Sequence, residues 1–113
     1  MGDKTQEKRS IDMRIYRQGD VLLVRTEDSR PEGSIRKPIN GRVILVEGEA
    51  TGHHHSVSAV CDVIDADGRM WMVAPKNVEL THQEHGTIEI EEGTYWVVRQ
   101  RVYSPESIRT VLD

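Results

Sequence analysis

Cys61-Asp-Val-Ile-Asp-Ala-Asp-Gly-Arg-Met-Trp-Met-Val-Ala74 holds two short apolar runs on either side of Asp65-Ala-Asp-Gly68. An Asp-Gly pair between apolar runs predicts a tight β-hairpin turn with Gly68 in the left-handed conformation, where a side chain would be strained. Outward from this hairpin the same text repeats. Val21-Leu-Leu-Val24 and Val43-Ile-Leu-Val46 are short apolar runs, and Gly, Pro and Asn-Gly punctuate the spaces between runs. Strands are expected near 13–17, 20–25, 42–47, 55–64, 69–74, 77–82, 87–91 and 94–103. Glu91-Glu-Gly93 reads as a second hairpin turn, and residues 27–41, with Pro31 and Lys37-Pro-Ile-Asn-Gly41, as a polar loop. The run 20–25 is apolar on both faces, which places it centrally or under cover.

The chain has 113 residues, 36% of them hydrophobic, enough for one domain with a modest core. Residues 1–12 are polar and read as a flexible tail, leaving 13–113 as a single β domain. Ser104 followed by Pro105 has the pattern of a helix start, so a short C-terminal helix is expected. Seven to eight strands in so short a chain predict an all-β fold, a small barrel or sandwich of jelly-roll-like shape. Such a sheet must manage its edges by closure or by pairing with another copy, and a homo-oligomer is expected.

Composition narrows the function classes. No run approaches the ~20 apolar residues of a spanning helix, so no membrane role is expected. A single cysteine, Cys61, excludes an internal disulfide framework and four-cysteine zinc sites. The first residues lack the apolar centre of a secretory signal, and a cytoplasmic location is the expectation. Net charge is −4, which argues against non-specific nucleic-acid binding. Residues 51–90 carry two basic and six acidic side chains, together with all five histidines. An acidic, histidine-rich segment suits a cation.

The histidines fall in two clusters, His53-His-His55 and His82-Gln-Glu-His85. Alternation along a strand puts His53 and His55 on one face with Val57, and His54 on the other. The same alternation carries His82 and Glu84 onto the face of Val78 and Leu80, while a slip before Gly86 would turn His85 inward. Three imidazoles and a carboxylate with room for water suit Zn²⁺, Fe²⁺ or Mn²⁺, and the candidate ligands are His53, His55, His82, Glu84 and His85. The opposing reading leaves these histidines on strand-end loops, facing water. A non-catalytic binding or assembly module that recognises a protein partner or small ligand is then the alternative function. His82-Gln-Glu-His85 lacks the helical spacing of a zincin, and no reaction is named by any motif. Cys61, amid valines, reads as a small core residue. Trp71, between Met70 and Met72, reads as core or as an oligomer face.

Four motifs, Arg17-Gln-Gly-Asp-Val-Leu-Leu23, Val46-Glu-Gly-Glu-Ala-Thr-Gly-His53, His82-Gln-Glu-His-Gly86 and Arg99-Gln-Arg-Val-Tyr-Ser-Pro-Glu106, together resemble a group of small uncharacterised bacterial and phage proteins. The resemblance spans most of residues 14–113 and carries no activity to transfer. His53-His-His55 is similar to the opening of a cupin metal motif. Ala59 and Val60 stand where a cupin has its glutamate, and the later Pro-x-Gly-x-x-His element is absent. Gly19-Asp-Val-Leu-Leu-Val24 resembles the first strand of the small co-chaperonin barrel. Both partial likenesses imply a β-barrel or jelly-roll shape only.

Overall fold

A computed structural model describes residues 14–48 and 52–100. The expected tail (1–12) and C-terminal helix (104–112) lie outside the described residues. Among the described residues the fold is all-β, and no helix is long and apolar enough to cross a membrane. Ten strands follow in order: β1 (Ile15–Gln18), β2 (Val21–Thr26), β3 (Ser34–Ile35), β4 (Arg42–Glu47), β5 (His54–Ser58), β6 (Asp62–Ala66), β7 (Arg69–Ala74), β8 (Val78–Leu80), β9 (Ile88–Ile90) and β10 (Gly93–Arg99).

Six strands form one antiparallel sheet in the order β1-β2-β10-β7-β6-β3. β4 pairs with β5 and β8 with β9. Reciprocal backbone hydrogen bonds of 3.0 Å between Ser56 and Thr81 link β5 to β8. Arg42 reinforces that link by donating to Ser56 O (2.9 Å) and Thr81 Oγ1 (3.0 Å). One apolar core then forms between the two groups of strands. Val21, Leu23, Val63, Met72, Tyr95 and Val97 of the large sheet meet Val43, Leu45, Val57, Val78, Leu80 and Ile90. Each fully buried aliphatic side chain there contributes roughly 1.5–3 kcal/mol.

The structure corrects the sequence reading in four places. No sheet among the described residues closes on itself, so the barrel does not form: β1 and β3 remain as edges. The expected strand 55–64 is two strands, broken at Ala59-Val60-Cys61, because Ser58 O accepts from Cys61 N–H and turns the chain (3.0 Å). The loop 27–41 contributes the short β3, whose Ile35 pairs with Ile64. Glu91-Glu92 is a crossover, not a hairpin turn, since β9 pairs with β8 whereas β10 pairs with β2 and β7. The Asp67-Gly68 hairpin forms as the sequence reads. Both residues have positive φ (53° and 72°), the pattern of a type I′ turn.

One irregularity places the functional candidates. β4 and β5 lose register between Ile44 and Val46, so Leu45 is bulged and both Leu45 and Val46 are buried. Arg36 clamps this bulge. Its Nη1 donates to the carbonyls of Ile44 (3.2 Å) and Leu45 (3.3 Å), while Nε and Nη2 grip the Asp65 carboxylate. Beyond the bulge, Val46 stands opposite His55.

Candidate metal centre

His55 is 1% exposed, at the head of β5, with its imidazole directed into a cavity of about 470 Å³. The cavity is lined by Gly19, Asp20, Gly48, His53, His55, His82, Glu84 and His85. All five residues named from sequence therefore border one hollow. His54 turns away, and its backbone N–H donates to Gln83 Oε1 (2.8 Å). The rings cluster: His55 and His82 have centroids 4.4 Å apart, His82 and His85 4.6 Å, His55 and His85 5.8 Å, and His53 and His82 5.7 Å. Glu84 Oε2 lies 3.6 Å from His53 Nδ1. Among the described residues, no three acidic, histidine or cysteine side chains converge tightly enough to form a ready-made ion site.

Two residues that the sequence reading passed over organise this cavity. Gln18, 3% exposed, closes β1 against β8. Its amide Nε2 donates to Leu80 O (2.9 Å) and Gly86 O (2.8 Å), which pins both ends of the segment carrying His82 and His85. The same amide must then present its oxygen to His55 Nδ1, 2.8 Å away. A carbonyl oxygen only accepts, so Nδ1 carries the proton and Nε2 of the neutral ring is bare. Asp20, in the β1–β2 turn, brings Oδ1 to 3.5 Å from that bare nitrogen, while its Oδ2 accepts from Arg99 Nε (3.0 Å).

The charge states follow from these surroundings. Burial pushes the His55 imidazole down to about 4, reinforced by His82 and only partly offset by Asp20, so the ring is neutral at pH 7. Burial and the neighbouring His85 and His53 likewise lower His82. Burial pushes the Asp20 carboxyl up, but the hydrogen bond and charge of Arg99, a backbone hydrogen bond and His55 together outweigh it and the net shift is downward. At neutral pH a carboxylate oxygen and an imidazole lone pair thus face each other. His82 is arranged differently: its Nδ1 accepts the Glu84 N–H (3.0 Å), leaving its proton on Nε2.

A larger hollow of about 660 Å³ lies by the β6–β7 turn and the end of β10. Three of its charged residues are already engaged, Asp65 by Arg36, Arg69 over the Trp96 ring and Arg99 by Asp20, and it holds no histidine. Cys61 is buried in the core, outside the lining of the histidine cavity, and burial pushes its thiol up to about 11.

The tight β1–β2 turn is what allows this approach. Gly19 has φ +60°, and a Cβ built there would stand 2.6 Å from His85 Nε2. Gly19→Ala is expected to cost about 1–2 kcal/mol in urea denaturation from the backbone alone. It should also displace His85, which a changed His85 imidazole NMR signal would report.

Protonation of His55 supplies a second check. The unfolded chain takes up this proton near pH 6.5 and the folded chain near 4. Stability of the metal-free protein is therefore full above pH 6.5 and falls by about 3 kcal/mol as pH drops to 4. Urea melts across this window should show the loss, and His55→Gln should flatten it.

No curated protein and no solved structure matches the chain. Residues 17–100, which include Gln18, Asp20 and all five histidines, match the profile of a domain of unknown function, DUF8820. The chain belongs to the DUF8820 family.

Proposed function

We propose that this domain binds one divalent transition-metal ion, Zn²⁺, Fe²⁺ or Mn²⁺, in the histidine cavity. His55 Nε2 and Asp20 are the primary donors, His85 and His82 complete the set, and His53 and Glu84 flank it. The observation that carries the reading is the pair of acceptors, His55 Nε2 and Asp20 Oδ1, facing each other at 3.5 Å. Two lone pairs at that distance repel unless a cation or a proton lies between them, and the low proton affinity of His55 disfavours the proton. Metal bonds of about 2.1 Å across that gap subtend an angle of about 110°, near tetrahedral. The Nδ1–H hydrogen bond to Gln18 is the outer-shell contact that ligating histidines characteristically make. His82 joins by giving up the Glu84 N–H and turning its ring, a small rearrangement for an exposed segment.

Calorimetric titration of protein purified without an affinity tag tests the proposal. Zn²⁺ or Co²⁺ is expected to bind one per chain with Kd below about 10 µM, equivalent to about 7 kcal/mol. A metal concentration one hundred times Kd should stabilise the fold by about 2.7 kcal/mol. His54→Ala should bind like the parent chain. A protein whose melting temperature ignores all four ions, Zn²⁺, Co²⁺, Fe²⁺ and Mn²⁺, as well as a chelator, contradicts the reading.

A further inference from the structure

Asp20 turns one carboxylate oxygen toward His55, and its other oxygen is held by a side chain outside the cavity lining. Arg99, the last residue of β10, stands opposite Val21, the first residue of β2. From there its Nε donates to Asp20 Oδ2 (3.0 Å). The next residue ties down the main chain of the same aspartate, with Gln100 N–H donating to Asp20 O (2.7 Å). With backbone and Oδ2 both fixed to the β10 end, Oδ1 is the oxygen left facing His55 Nε2, 3.5 Å away. As an ion pair the contact adds little to stability, since Arg99 is 24% and Asp20 39% exposed. Its consequence is geometric. An ion gripped by both carboxylate oxygens would share Oδ2 with the guanidinium, and a divalent charge would stand close to a fixed positive one.

We propose that Arg99 sets the metal preference of the site: it limits Asp20 to one-oxygen coordination and so selects four-coordinate Zn²⁺ over Mn²⁺. This role rests on the metal site proposed above and narrows its ion to Zn²⁺. One oxygen from Asp20 and imidazole nitrogens from His55, His82 and His85 make a nitrogen-rich donor set, which suits Zn²⁺. Mn²⁺ favours oxygen-rich, octahedral surroundings, to which a two-oxygen carboxylate contributes more. The guanidinium charge weakens the binding of any divalent cation, so affinity is given up for that discrimination.

Calorimetric titration of the full chain with Zn²⁺ and with Mn²⁺ measures the preference, and the visible spectrum of the Co²⁺ form reads the coordination number. The parent chain should give the intense bands of four-coordinate Co²⁺. Arg99→Met frees Oδ2, and Mn²⁺ affinity should rise at least about ten-fold while Zn²⁺ affinity changes less than about three-fold. The Co²⁺ bands should weaken as the ion gains a further oxygen donor. Arg99→Lys, which keeps an N–H donor for Oδ2, should hold the parent preference. Arg17→Met removes an equal charge from a side chain that bonds Gln100 Oε1, and should leave the preference unchanged. Circular dichroism verifies the fold of each variant. Loss of Zn²⁺ and Mn²⁺ affinity together in Arg99→Met would make Arg99 a structural support only and overturn the proposal. So would a six-coordinate Co²⁺ spectrum in the parent chain, which needs no variant. A parent chain that binds none of these ions overturns the metal site itself, and the role of Arg99 falls with it.

Discussion

Gln18→Leu is expected to be the most damaging single substitution outside the apolar core, costing about 3–5 kcal/mol of stability in urea denaturation. One amide satisfies three groups: it donates to Leu80 O and Gly86 O and accepts from His55 Nδ1–H. Leucine matches its bulk and serves none of them. The Leu80 carbonyl and the His55 ring N–H are then stranded in the interior, and the Gly86 carbonyl, on an exposed residue, loses its tie to β1. Amides of residues 80–86 should also lose hydrogen-exchange protection, because among the described residues it is Gln18 that hydrogen-bonds both ends of that segment to β1. A loss below about 1 kcal/mol would mean that the hub does not hold the two histidine segments together.

Asp20→Asn separates binding from folding. The asparagine amide can donate to the bare His55 Nε2 where the carboxylate could only face it, so the metal-free fold should stay within about 1 kcal/mol of the parent despite a weaker bond to Arg99. Metal affinity, in contrast, should fall at least about 100-fold, because an anionic donor to the ion is replaced by a neutral one. His55→Ala should lose as much affinity. Combining the two should cost little more, as expected for donors that act on one ion. Calorimetric titration of the three variants against the parent chain measures this. Parent-like affinity in Asp20→Asn would remove the carboxylate from the ligand set.

Much of this arrangement is written locally in the chain. The β-hairpin at Asp67-Gly68 depends on two adjacent residues, and the alternation that separates His54 from His53 and His55 is a property of any extended strand. The exposed Glu79 between buried Val78 and Leu80 reads the same way in sequence and in structure. What sequence could not supply depends on register between distant strands. The Leu45 bulge that sets Val46 against His55 is held by Arg36, nine residues earlier, and by Asp65 in another sheet. Gln18 meets Leu80 across 62 positions of chain. Gln18 and Asp20 did leave a trace: two polar residues flank Gly19 at the entrance to an apolar run, a spacing that makes a hairpin turn with side chains on offer. Of the two shapes expected, barrel or sandwich, the closed one does not form among the described residues, because strand count alone does not fix curvature and β3, only two residues long, ends the sheet without reaching β1.

The central claim is that His55 is held neutral, protonated on Nδ1 by Gln18, with its bare Nε2 turned toward Asp20 to receive a cation. Long-range ¹H–¹⁵N NMR of the imidazoles, recorded at pH 7 before and after one equivalent of Zn²⁺, reads this directly. The account predicts a protonated Nδ1 and an unprotonated Nε2 for His55 in the metal-free protein, and a shift of the Nε2 resonance alone on that ring when Zn²⁺ is added. A His55 protonated on Nε2, or an Nε2 resonance unmoved by Zn²⁺, would contradict it.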